Sequence, residues 1–321
     1  MALKLLYLHG TGPQSESSDR ARIEAHLELV GGLAPADVHL VDWVDSTAHL
    51  AYLDVTPALP AERYPLPSPA RRGLVPAGTA SLAHAAALEE AAESAQRPLD
   101  AEQVAGGLAA AVAETARGEQ REEGGILTAS PFAELGLQVL TNHLVDHRPE
   151  YTNAATVFLG AVARYLEDGP AFRASIREAI AEHTNRGDTL LVVGHSLGGV
   201  AALDVLTGVP DEPEVDAAAV ELLVTAGCQA PWLYLMHALA SLSTEVTQTE
   251  PFSPWLNVYD ERDLLAFCVE RVFADRPGRR VDVEVSSHLP FLTAHGHYLD
   301  DPAFYRAIGA ARRTFAASRT S

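Results

Sequence analysis

The stretch Leu190–Ala202, read LLVVGHSLGGVAA, holds a serine where a hydroxyl could act as a nucleophile. Four apolar residues form a short strand, Gly194-His195-Ser196-Leu197-Gly198 makes a sharp turn, and small apolar residues then begin a helix. Such a turn forces the serine into strained φ/ψ space, so the residues two positions either side must be small. The hydroxyl is then expected at an exposed tip, beside the free amides of the new helix's first turn. The bare G-x-S-x-G pattern arises by chance in roughly one chain in ten of this length. The strand-to-helix context gives it weight. A glycine-rich turn that merely packs a helix on its sheet is the alternative.

A serine hydroxyl needs a base at neutral pH, and that base needs an orienting carboxylate. Asp260 and Asp263 both follow the apolar run Trp255–Tyr259. His295 and His297 lie further on, in Ala294-His295-Gly296-His297-Tyr298, before a final helix. His288 is a more remote candidate. The chain order is therefore serine, carboxylate, histidine, each after an apolar run. By spacing alone either carboxylate and either histidine could serve.

Four blocks together resemble the α/β-hydrolase superfamily on its lipase and esterase side. They are His9-Gly10-Thr11-Gly12 after the first apolar run, Gly194–Gly199, Val224-Thr225-Ala226-Gly227-Cys228-Gln229, and the acid and histidine loops. The resemblance covers roughly residues 1–44 and 154–316. It implies Ser196 as nucleophile. It favours Asp263, followed by Leu264-Leu265, as the acid, with Asp260 capping the turn or pairing with Arg262. It favours His295, three residues before Tyr298, as the base. It implies an oxyanion hole from the Leu197 and Thr11 amides, with His9, Gly10, Gly194, His195 and Gly198 supporting. Where similar sequences often carry a second serine, this chain has Cys228, read as a small buried packing residue.

The elements that must position these groups alternate. Strands are expected at Leu3–Leu8, Val38–Val41, Thr189–Val193, Leu222–Thr225, Leu256–Tyr259 and Val281–Val285. Helices are expected at Asp19–Val30, Thr156–His183 (split at Gly169-Pro170), Gly199–Thr207, Trp232–Ser241 and Pro302–Ala316. That is an α/β chain: a mostly parallel sheet covered by helices on both faces. Residues 45–153 break the rhythm. They are proline-rich at 57–78, helical in pattern at 82–96 and 101–117, then charged, and are read as an insertion and possible lid. The core is then 1–44 with 154–321.

The 321 residues carry a formal charge of −20, with 47% hydrophobic residues. That balance argues against nucleic acid and anionic membrane surfaces as partners. Two cysteines suit a reducing compartment, and no apolar run could span a membrane, so a cytoplasmic location is expected. His143 and His147 share a helical spacing but lack a third ligand, so no metal is expected. Dinucleotide and P-loop fingerprints are absent, and no cofactor is expected. The resemblance thus implies a serine hydrolase acting on a small-molecule acyl substrate, a carboxylic ester. Thioester or lactone hydrolysis and acyl transfer would use the same residues, and a hydrolase fold kept only for binding is the alternative from another class.

Overall fold

The computed structural model describes residues 2–10, 16–43, 148–242, 252–276, 278–289 and 291–317. Thr11, Gly12, His143, His147 and nearly all of the 45–153 insertion lie outside the described residues. The chain divides into two units, Met1–Leu53 with Thr156–Ser321, and Asp54–Ala155. Everything that follows concerns the first.

Its sheet holds β1 (Leu3–Leu8), β2 (Val38–Leu40), β3 (Thr189–His195), β4 (Val220–Ala226), β5 (Phe252–Tyr259) and β6 (Gly278–Glu284). Their order across the sheet is β2-β1-β3-β4-β5-β6, and every pairing is parallel. All six expected strands are present, with ends displaced by a few residues.

The apolar runs are continuous because both faces of the sheet are covered. Leu6, Leu8, Leu190 and Val192 point to one face, where they meet α3 (Arg148–Thr184) and α4 (Leu197–Thr207). Leu5, Tyr7, Leu191 and Val193 point to the other, against α1 (Glu16–Glu24), α2 (Leu27–Val30) and α7 (Pro302–Ala317). The parallel sheet covered by helices on both faces is the α/β architecture that the resemblance implied.

Three helices depart from the expected bounds. The expected Asp19–Val30 helix is two, α1 and α2. Helix α3 starts earlier and bends at Asp168 (φ −122°, ψ 26°), just before Gly169-Pro170, where proline removes a backbone donor. Helix α5 (Ala230–Leu235) stops well short of Ser241 because His237 adopts φ 56°. The four-residue α6 (Phe291–Ala294) leads into the histidine loop.

The strand order creates one crevice. From β1 the chain passes to β2 on one side, while from β3 it passes to β4 on the other. The loops after β1 and β3 therefore diverge at their carboxyl ends, where open α/β sheets bind ligands. One loop carries His9-Gly10 and the other carries Ser196.

Candidate active site

Ser196 joins β3 to α4 with φ 55° and ψ −126°, the strained geometry that the flanking glycines were expected to permit. Its amide donates to Ala226 O at 2.8 Å, so the β3–β4 ladder runs into the turn and holds it. The glycines are set by contact. A Cβ on Gly194 would stand 2.5 Å from Gly199 Cα, and one on Gly198 would stand 2.4 Å from Leu8 O. A Cβ on Gly10 would stand 2.9 Å from that of Ser196. At Gly194 and Gly198, backbone fills the space where a side chain would be.

Ser196 was expected at an exposed tip, but it is fully buried at 0% relative exposure. The loops after β1, β4 and β5 and the histidine loop all close on the elbow. Its Oγ lies 2.9 Å from His295 Nε2, and His295 Nδ1 lies 2.9 Å from Asp263 Oδ2 and 3.1 Å from Oδ1. Serine, histidine and carboxylate form one hydrogen-bonded chain.

The alternates go elsewhere. Asp260 caps its own turn: Oδ1 accepts from the Arg262 amide at 2.9 Å, and Oδ2 accepts from Ser287 N and Oγ at 2.8 and 2.7 Å. Its expected pairing with Arg262 is thus to the backbone, while the Arg262 guanidinium donates to His288 O. His297 lies beside Asp300, with Nδ1 3.7 Å from Oδ2. His288 sits at φ 57°, with Nδ1 3.3 Å from Ser286 Oγ.

Asp263 is buried, which works to raise its pKa, but its hydrogen bond to His295 and the amide of Leu265 hold the carboxyl below its ordinary value. Tyr298 adds a donor at 2.8 Å to Oδ2 while accepting from Asp260 N at 3.1 Å. The sequence singled out Tyr298 only as a marker for His295; its hydroxyl bridges the acid loop to the base loop.

Three more groups were legible only in space. Gly227 has φ 56°, and a Cβ there would meet Asp263 Oδ2 at 2.7 Å and His295 Nδ1 at 3.1 Å. A side chain at that point would separate acid from base. Gln229 is buried and donates through Nε2 to Gly227 O (2.7 Å) and Leu265 O (2.9 Å), which leaves Oε1 3.4 Å from Ser196 Oγ as an acceptor. On the outer side, Arg22 grips Asp300 at 2.6 and 2.8 Å and donates to Gly296 O at 2.8 Å.

Leu197 opens α4, so its amide has no intrahelical acceptor and lies next to the serine. The second expected oxyanion donor, Thr11, lies outside the described residues. Ahead of it, His9 is buried, its carbonyl accepts from Trp43 Nε1 at 3.2 Å, and burial pulls its pKa down to about 4. Cys228 packs behind α4, where burial pushes its thiol up to about 12, so it is inert filling. Among the described residues no group of histidine, cysteine and carboxylate side chains could hold a metal, and no helix is long and apolar enough to cross a membrane.

No protein-family model matches the sequence, and no curated protein matches it. Among solved structures, the chain is similar to an esterase from Pyrobaculum calidifontis, at 14% identity and a TM-score of 0.32, covering 47% of this chain and 61% of that one. It is also similar to the esterase domain of a Rhodothermus marinus protein, at 21% identity and a TM-score of 0.23, covering 38% and 60%. The chain thus spans about three fifths of the length of each.

Proposed function

We propose that this chain is a serine hydrolase that cleaves a carboxylic ester through an acyl-enzyme. One observation carries the reading: a strained elbow serine whose Oγ is 2.9 Å from a histidine that is itself held at 2.9 Å by a buried carboxylate. Buried turns of this cost persist where the hydroxyl has a task.

In the proposed cycle Ser196 Oγ attacks the ester carbonyl while its proton passes to His295 Nε2. The C–O bond to the alcohol breaks, and the alcohol leaves with that proton. Water then gives a proton to His295 as its oxygen bonds the acyl carbon; the Oγ–C bond breaks and the proton returns to Ser196. Asp263 keeps Nδ1–H oriented and stabilises the imidazolium. The Leu197 amide, with Thr11 as second donor, would hold the oxyanion, each such donor being worth about 3 kcal/mol. These steps draw on side chains, backbone amides and water, in an enzyme that we place in the cytoplasm by its cysteine usage.

Intact-mass labelling with a fluorophosphonate tests this on wild type and Ser196→Ala. We expect one adduct on wild type and none on the variant, with loss of ester turnover. Because Ser196 is buried, a small drop in melting temperature accompanies the loss of its hydroxyl. An unlabelled wild type that also fails to turn over esters, thioesters and lactones would sink the reading.

A further inference from the structure

The mechanism above leaves one half-buried histidine beside the serine without a task. His195 precedes the serine, and its Nε2 lies 2.7 Å from the backbone carbonyl of His295. A carbonyl can only accept, so Nε2 carries the proton and the ring donates. The two imidazoles lie 4.8 Å apart between centroids, tilted by 39°, and the His195 ring is 5.9 Å from that of Tyr298. Gly10 leaves the room this needs, since a Cβ there would stand 3.1 Å from His195 Nδ1.

We propose that His195 is a positioning residue that fixes the spacing between Ser196 and His295 and keeps the base in place once the serine is acylated. The inference rests on the reading of Ser196 and His295 as nucleophile and base. Two consecutive residues, His195 and Ser196, each hold the same partner: one grips the backbone of His295, the other its imidazole. The elbow and the base loop are thereby closed into a ring of contacts.

The two grips differ during turnover. Acylation replaces the Ser196 O–H by an ester, so the bond from Oγ–H to Nε2 is lost. The His195 bond does not involve the reacting atoms and survives into the acyl-enzyme. Deacylation, in which water must meet both Nε2 and the acyl carbon, then depends on it. Arg22 steadies the next carbonyl, Gly296 O, but it reaches in from α1 rather than from the elbow.

A positive ring beside the imidazolium of His295 would repel it. Burial first, and the nearby His295 second, pull the His195 pKa down to about 3; the bond to His295 O and the carboxylate of Asp263 oppose this, and Arg22 adds to it. The donor therefore stays neutral through the cycle.

Replacing His195 by Met or Leu removes the donor, whereas Gln carries an N–H to nearly the same reach. Turnover of p-nitrophenyl acetate is to be followed in steady state and in the first turnover, with melting temperatures alongside. The expected result for Met or Leu is a fall in kcat of about 10- to 100-fold. KM is unchanged or lower, and a burst of p-nitrophenol marks the accumulated acyl-enzyme; Gln recovers most of the rate. A role in packing alone would leave Gln no better than Met. That outcome, or a wild-type kcat in either donorless variant, overturns the proposal.

Should both donorless variants fail to fold, ¹⁵N NMR of the wild-type ring decides. The neutral Nε2–H tautomer from pH 5 to 8 supports the clamp, and the Nδ1–H tautomer overturns it. Wild-type turnover that Ser196→Ala does not abolish overturns the underlying reading, and is seen before any His195 variant is made.

Discussion

The proposed nucleophile elbow and base loop meet at two hydrogen bonds, from His195 and from Ser196, yet they are built by opposite means. The elbow is compact in sequence: its glycines lie within six residues of one another, and a Cβ would meet Gly199 Cα at 2.5 Å on Gly194, Leu8 O at 2.4 Å on Gly198 and Cys228 Sγ at 2.9 Å on Gly199. The base loop is held from a distance. His195 is 100 residues from His295, Arg22 is 274 from Gly296, and Tyr298 reaches back 35 and 38 residues to Asp263 and Asp260. Its own glycine is unconstrained, since a Cβ on Gly296 would meet nothing closer than Thr293 O at 4.0 Å. A nucleophile must be placed against the amides of its own helix, which neighbours in sequence can do. A base must be placed against another element, and only tertiary contacts can do that.

The largest test of this contrast is at the carboxylates. Asp263→Asn keeps the shape of the base loop but gives His295 Nδ1 a partner that no longer selects its tautomer. The rate should fall on the order of 10⁴ in kcat, with little change in KM. Asp260→Asn removes acceptors from Ser287 and Arg262, outside the Ser–His–Asp chain. Stability should fall by about 1–2 kcal/mol while turnover stays near wild type. Denaturant titration beside kcat for both variants checks the division of labour; comparable rate losses in the two would erase it.

Next in size is the difference between two glycines. Gly198→Ala places a methyl 2.4 and 2.5 Å from the carbonyl oxygens of Leu8 and His9, both backbone, so α4 must lift away from β1. The expected cost is about 3 kcal/mol of stability and roughly 100-fold in the rate of fluorophosphonate labelling, as the elbow is displaced. Gly296→Ala has open space and should change stability by no more than about 0.5 kcal/mol. If alanine at 296 proves the more damaging, the base loop is under a local constraint after all.

This division also governs what could be read from the sequence. The elbow was legible because its glycine spacing, apolar strand and following helix are neighbours along the chain. So were the six strands, since parallel strands buried on both faces read as unbroken apolar runs. The choice between Asp260 and Asp263 was open by spacing, because both follow β5 and only the turn between them decides which faces inward. The Asp263 amide donates to Asp260 O at 2.9 Å, closing a turn that aims Asp260 at Ser287 and Asp263 at His295. His295 and His297 were open for the same reason. The resemblance favoured Asp263 and His295; His295 lies against Ser196 Oγ, and Asp263 lies against His295. Burial of Ser196 was not legible at all, because four loops from distant parts of the chain produce it. Nor was the end of α5, which a single residue at positive φ determines.

A smaller effect than that at Gly198 belongs to Tyr298, and it separates the acid's own chemistry from the distance that holds it. Phenylalanine keeps the ring and its packing against Phe304 but removes the hydroxyl shared by Asp263 Oδ2 and Asp260 N. A hydrogen bond to a charged acceptor is worth about 2 kcal/mol, so Tyr298→Phe should lower stability by that amount at pH 7 and slow turnover about tenfold. The pH dependence fixes the cause. Asp263 titrates below its ordinary value in the folded protein, so the stability it contributes is present above the unfolded carboxylate pKa and is lost as pH falls through the folded one. Without the Tyr298 donor the folded value rises, and the loss begins at higher pH. The gap between wild type and Tyr298→Phe should therefore be widest near neutrality and close on acidification below the carboxylate range. A gap that stays constant down to pH 3 would mean that the hydroxyl serves the Asp260 turn alone, and that the base loop is anchored by His195 and Arg22 without help from the acid.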